Sequence, residues 1–245
     1  MNEIESLRLT AIYCLGCPEI TGEQEECLKS FISNQSQYLC LKAMEILQQI
    51  GPFWAFRLIC CIIGADNPFD AKVMQAYWLS GEVLRPSTDL EWIKIHREFQ
   101  KQLPKNYFIA LQTEEMLCRL KGVKPHHNFS VIRMLKNVLK KEIGLTNCIL
   151  LLLETINNCL VRSGRIISVN KDNLEVETEK LVWRDSKLFM EKTNEKVKKG
   201  FTEDSQPGKY VSLHLGLDRQ DLTLEQVKSL SDITKEAIDS VIKRR

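Results

Sequence analysis

An excess of charge of either sign is what this sequence most plainly lacks. In 245 residues, 34 Lys and Arg stand against 32 Asp and Glu, a formal net charge of +2. Residues 1–158 carry 17 basic and 17 acidic side chains, and residues 159–245 carry 17 and 15. Neither part offers the concentrated basic face that nucleic acid requires. Long hydrophobic runs are missing too. The stretches Phe53–Ala65 and Cys148–Leu153 fall short of the ~20 residues that carry a helix across a bilayer, and Arg57 interrupts the first. The opening MNEIESLRLT has acids where a secretory signal has bases, and no apolar core segment. A cytoplasmic protein with no membrane partner is therefore expected. No glycine-rich phosphate loop, nucleophile elbow or H-E-x-x-H string occurs.

What is present is ordinary for a folded chain: 44% apolar residues, 27% charged, and 7% aromatic. The nine cysteines are an odd number, all lie between Cys14 and Cys159, and none follows. In a reducing compartment they are free thiols, packing residues, metal ligands or redox groups.

The first part reads as helix after helix. Ser36–Ile50 spaces Leu39, Ala43, Ile46 and Leu47 as a helix would. Gly51-Pro52 interrupts, Phe53–Gly64 resumes as an apolar helix, Asp70 is a cap for Ala71–Gly81, and Ser87-Thr88-Asp89 opens Leu90–Gln102. Thr146–Asn158 is one more apolar helix. After Cys159 the period shifts towards two in CLVRSGRIISV, NLEVETEKLVW, KLFMEKTNEKV and KYVSLHLGL. Thr223–Arg244 then carries a stripe of Leu224, Val227, Leu230, Ile233, Ala237, Ile238 and Val241, with Thr223 and Gln226 at capping-box spacing. Short strands closed by a terminal helix suggest a small barrel, because an open sheet would leave edges exposed. The expected fold class is α+β: an all-helical domain over 1–145, then a linking helix, a small β-barrel and a C-terminal helix over 146–245.

Several residues could carry chemistry. Cys14-Leu15-Gly16-Cys17 is a C-x-x-C with no second pair to complete a zinc site, and Gly16 and Pro18 read as a helix stop. His126 and His127 are two of only four histidines; side by side in an extended segment they point to opposite sides, so one at most serves a given site. His96 falls on the surface of its helix, and Cys60-Cys61 in the most apolar one reads as core.

Two phrases late in the chain belong together. Cys159-Leu160-Val161-Arg162-Ser163-Gly164-Arg165-Ile166 is a C-L-x-x-x-G-x-[IV] string, and Pro207-Gly208-Lys209-Tyr210-Val211-Ser212-Leu213-His214-Leu215-Gly216 follows. In this order they resemble the HypC/HupF family of hydrogenase assembly chaperones, which begin C-L-x-x-P-G-x-[IV], contain G-[DE]-[YW]-V-x-V-H-x-G and end in a helix. The resemblance covers Cys159–Arg245, about a third of the chain. Three departures stand out: Cys159 is internal whereas the family cysteine becomes N-terminal, Ser163 replaces a proline, and Trp183–Gln206 is longer than usual. The helical part, through Asp70–Trp78 and His126–Phe129, is faintly similar to uncharacterised proteins of hydrogenase gene clusters.

The resemblance implies an OB-like barrel that binds maturation partners and handles iron bearing cyanide and carbonyl ligands for a nickel–iron hydrogenase. Cys159 takes the place of the iron-handling thiolate and His214 that of the motif histidine. Thiolate suits low-spin iron with strong-field ligands, and imidazole is a reasonable neighbour. His126, His127, Cys14 and Cys17 are secondary metal candidates. The plain alternative is that Cys159 packs as a small hydrophobe and His214 bonds a backbone carbonyl. The function expected is that of a metallocentre assembly chaperone or scaffold, partnered by a maturation protein or a metalloenzyme subunit precursor. The alternatives are an iron or zinc enzyme with its site between the domains, and a metal-free protein-binding adaptor.

Overall fold

Five helices follow one another at the start of the chain, and each boundary has a local cause. In the computed structural model, which describes residues 2–79, 84, 124–132, 146–184 and 187–242, α1 (Glu3–Cys14) begins with a capping box between Asn2 and Glu5. α2 (Gly22–Ser33) begins with another between Thr21 and Gln24, and Ser36 caps α3 (Gln37–Leu47). α4 (Pro52–Ile63) opens on proline, whose missing N–H costs nothing there, and closes on Gly64 in the left-handed region at φ 70°. Asp70 caps α5 (Ala71–Trp78) by accepting from the Lys72 amide at 2.7 Å. α3, α4 and α5 agree with the helices expected over Ser36–Ile50, Phe53–Gly64 and Ala71–Gly81, to within a few residues at their ends. Leu90–Gln102 and His96 lie outside the described residues.

Large rings fill the interior of this part. Tyr13 stacks on Trp78 at 4.7 Å between centroids, while Phe56 and Trp78 each meet Tyr77 edge-on at 4.8 and 4.7 Å. Such pairs add about 0.5–1.5 kcal/mol each to the burial of their surface. By its contacts the chain divides into two units, 1–126 and 127–245.

The second unit contains a short helical segment, 127–132, and then α6 (Thr146–Cys159), β1 (Arg162–Val169), β2 (Asn173–Arg184), β3 (Lys187–Lys198), β4 (Tyr210–His214), β5 (Leu217–Leu222) and α7 (Leu224–Ile242). The strands close into a barrel in the order β1-β2-β3-β5-β4, with β4 returning to β1. All neighbours are antiparallel except β3 and β5, which meet in parallel at Lys198 and Leu217. Alternation along β2 puts Leu174, Val176 and Thr178 inside and Glu175 and Glu177 outside. Ile166, Val197, Val211 and Leu213 complete the apolar core. Gly164 lets β1 approach it closely: a Cβ there would stand 2.9 Å from Leu213 Cδ1.

α7 packs on β1, β3 and β5. Leu230, Ile233, Ala237 and Ile238 of the expected stripe are buried, and the Thr223–Gln226 capping box forms with bonds of 2.9 and 3.2 Å. Leu224 is 71% exposed and does not belong to the stripe. It is the first residue of the helix, where the chain has only just left β5. The segment KYVSLHLGL, read as one strand, is a hairpin. Leu215 and Gly216 both have positive φ (54° and 73°), as a two-residue primed turn requires. Among the described residues no helix is long and apolar enough to cross a membrane.

Candidate functional site at the end of helix α6

A helix leaves its last four carbonyls without partners inside the helix, and in α6 these are the carbonyls of residues 156–159. The turn just beyond answers the first, as the Leu160 amide donates to Ile156 O at 2.7 Å. The other three are met from β1 and from two more distant segments. Arg162 Nε donates to Asn157 O at 3.1 Å, the Leu215 amide to Asn158 O at 2.6 Å, and His127 Nε2 to Cys159 O at 2.8 Å. Three separate segments, the 127–132 helical turn, β1 and the β4–β5 hairpin, therefore converge on the C-terminal end of α6. The unusual left-handed Leu215, a conformation that costs a non-glycine residue about 1 kcal/mol or more, is the one whose amide reaches Asn158.

Cys159 itself is half-buried, and its sulfur lies 3.9 Å from His127 Nε2. His127 and His214 are buried and meet edge to face, their ring centroids 5.0 Å apart. A carbonyl oxygen only accepts, so the proton of His127 sits on Nε2. Burial pushes the His127 pKa down to about 4, against the pull of the Cys159 carbonyl. Burial pushes His214 well below the ordinary histidine range too, and the nearby His127 and Arg219 push in the same direction. Hydrogen bonds with the backbone of Cys159 and Leu160 oppose that shift without reversing it. Both rings are neutral at pH 7.

The surroundings are fixed by polar side chains in the interior. Asn128 donates to Val161 O (2.8 Å) and to Thr234 Oγ1 (2.8 Å) and accepts from the Val161 amide (3.0 Å), tying the 127–132 turn to the chain entering β1 and to α7. Asn157 grips Leu181 of β2 in the same two-bonded way, at 2.9 and 2.7 Å. Arg162 runs into the barrel, where its guanidinium meets Glu195 at 2.8 Å and Glu195 also meets Lys180 at 2.8 Å. Arg219, fully buried, donates from Nε to His214 O at 3.0 Å and lies 5.7 Å from the Phe201 ring centre.

Of the residues singled out from sequence, Cys159, His127 and His214 come together. His126 is fully buried and belongs to the first unit. Cys14 and Cys17 lie there as well, where the Cys17 amide bonds Cys14 O at 3.0 Å around Gly16 at φ 81°. This is a helix stop. Cys14 is buried, and burial raises the pKa of the Cys17 thiol. Cys60 is core, with a pKa pushed up to about 12 by burial, while Cys61 is half-buried. Asn128, Arg162, Leu215 and Arg219 were not anticipated. Asn128 and Leu215 have partners far away in sequence, as does Arg162 in Glu195, whereas Arg162 and Arg219 also bond carbonyls five residues away, at Asn157 and His214.

Chemically the site offers one soft, partly accessible donor beside two neutral imidazoles. Among the described residues, no group of three or more His, Cys, Asp or Glu side chains is arranged to hold a metal ion. A metal meeting this thiolate would need further ligands from outside such a group. Comparison with curated proteins gives no match, and comparison with solved structures gives none. The model of a family of unknown function, DUF6390, matches residues 36–245, nearly the whole chain, and the protein belongs to that family.

Proposed function

We propose that the second unit is an OB-like barrel working in metallocentre assembly of the nickel–iron hydrogenase type, as a chaperone or scaffold. The strand order β1-β2-β3-β5-β4 with a parallel β3–β5 contact supports the OB-like assignment. The observation that carries the functional reading is the meeting of half-buried Cys159 with two histidines, His127 bonding its carbonyl at 2.8 Å and His214 packing on the His127 ring at 5.0 Å. Cys159 and His214 come from separate phrases of the sequence that resemble one family's motifs. A single thiol outside a closed four-ligand centre can receive a cargo and release it.

In this reading iron bearing cyanide and carbonyl is cargo, Cys159 is its protein-side ligand, and a maturation protein or subunit precursor supplies the remaining ligands. His214 supports the cysteine backbone. The helical unit supplies partner specificity, and the protein turns over no metabolite. A second reading, a metal-free adaptor, is favoured by one observation: the Nε2 proton of His127 is already given to a carbonyl.

Anaerobic pull-down of the full-length protein followed by infrared spectroscopy separates the two. Iron with cyanide and carbonyl bands supports the assembly reading. Colourless, metal-free protein bound tightly to a partner supports the adaptor and removes the cargo.

A further inference from the structure

We propose that His127 is a positioning residue for the Cys159 thiol, an N–H donor shared between the carbonyl oxygen and the sulfur of one residue, and not a ligand. The proposal rests on the reading of Cys159 as the working thiol. His127 lies well upstream of the phrases that hold Cys159 and His214.

Three observations carry it. First, Nε2 stands 2.8 Å from Cys159 O and 3.9 Å from Cys159 Sγ. The nitrogen that faces the sulfur is therefore the one bearing hydrogen, and a protonated nitrogen has no lone pair for a metal. Second, neither end of this contact can drift. The α6 terminus is pinned through its carbonyls at 157, 158 and 159. The histidine is pinned through its edge-to-face contact with His214 and through the three bonds of its neighbour Asn128. Third, Cys159 as a residue is half-buried, although the histidine beside it is buried.

At 3.9 Å the contact with a neutral thiol is weak, because S–H sulfur is a poor acceptor. A sulfur that carries negative charge, free or bound to iron, is a far better acceptor, and charge-assisted bonds are about twice as strong as neutral ones. With the backbone held, the distance shortens by rotation about the Cys159 side chain. The N–H then supports the charged sulfur much as outer-shell donors support metal ligands, an arrangement whose loss costs about 10–100-fold in affinity.

The test uses the metal-free full-length protein, so that it stands apart from the cargo reading. The alkylation rate of Cys159 by iodoacetamide is followed at one fixed pH, resolved from the other cysteines by peptide mass spectrometry. His127→Leu keeps the bulk and removes the donor, and the rate is expected to fall about tenfold. His127→Gln retains an N–H donor and is expected to restore it to within about threefold. A purely structural role predicts the opposite, because loosening the α6 end exposes the sulfur and speeds the reaction. A faster His127→Leu, or a His127→Gln as slow as His127→Leu, overturns the proposal.

Should His127→Leu fail to fold, histidine-selective 15N NMR of the unaltered protein decides. Nε2 of His127 is expected to be the protonated nitrogen and to shift when Cys159 is alkylated. An unprotonated Nε2, or no response to alkylation, contradicts the proposal. Slowed alkylation in a protein that never retains iron keeps the positioning role and removes the cargo reading. Iron retained equally by unaltered protein and His127→Leu keeps the cargo reading and removes the positioning role.

Discussion

The imidazoles of His127 and His214 meet edge to face 5.0 Å apart, and both hydrogen-bond to the backbone of Cys159. Two neutral histidines buried against each other make the barrel unit sensitive to acid. The His127 pKa falls from 6.5 in the unfolded chain to about 4 in the folded protein, so between those values the unfolded state binds more protons. Stability is complete above pH 6.5 and is lost as the pH falls towards 4. His127 alone accounts for about 3 kcal/mol of that loss, and His214 contributes in the same direction. Urea denaturation at a series of pH values checks this. His127→Gln should flatten the slope over that window, and an unchanged slope would contradict the assignment.

Arg162 gives a second expectation. Burial would raise the Glu195 pKa, yet hydrogen bonds and charge from Arg162 and Lys180 hold it below the usual carboxylate range. Arg162→Met leaves a largely buried carboxylate with only the half-exposed Lys180, and should cost about 3 kcal/mol. Combining it with Glu195→Leu removes the stranded charge and should regain most of the loss. A double-mutant cycle in urea reads the coupling, and simple additivity of the two losses would contradict it.

Asn128→Leu should cost about 2–4 kcal/mol, because it strips the Val161 amide and carbonyl of partners in a dry interior and leaves Thr234 without its donor. Asn157→Leu does the same to Leu181. Thermal melts followed at a barrel signal check both, and losses below about 1 kcal/mol would show that water replaces the asparagines.

The helices were legible because their signals are local. Asp70, Thr223 with Gln226, and Gly64 act within a few residues of themselves. The alternation of Leu174, Val176 and Thr178 with glutamates is local too, and it gave β2 directly. The turn within KYVSLHLGL was hidden because leucine is a poor turn residue, and Leu215 adopts its left-handed conformation where Asn158 O receives its amide. Leu224 looked like part of a stripe since spacing alone does not tell a first helical residue from an interior one. At the site, Cys159 and His214 were found through a family likeness. Capping of the α6 end by His127 and Leu215 depends on chain crossings that no window of sequence contains, whereas Arg162 caps Asn157 from five residues on.

Gly164→Ala tests the barrel interior. Its Cβ would stand 2.9 Å from Leu213 Cδ1 and 3.2 Å from Val176 Cβ, and such overpacking costs about 1–3 kcal/mol. The melting temperature should fall while the Cys159 alkylation rate stays within about twofold. A neutral effect on stability would mean that the core relaxes around the methyl group.

The most direct measurement is the iron content per folded molecule of protein purified anaerobically from cells that assemble nickel–iron centres, compared between the unaltered chain and Cys159→Ala. Cys159 is only half-buried, so Cys159→Ala should melt within about 1.5 kcal/mol of the unaltered protein and retain no iron. Iron retained equally by folded Cys159→Ala, or no iron in either protein, would contradict the account.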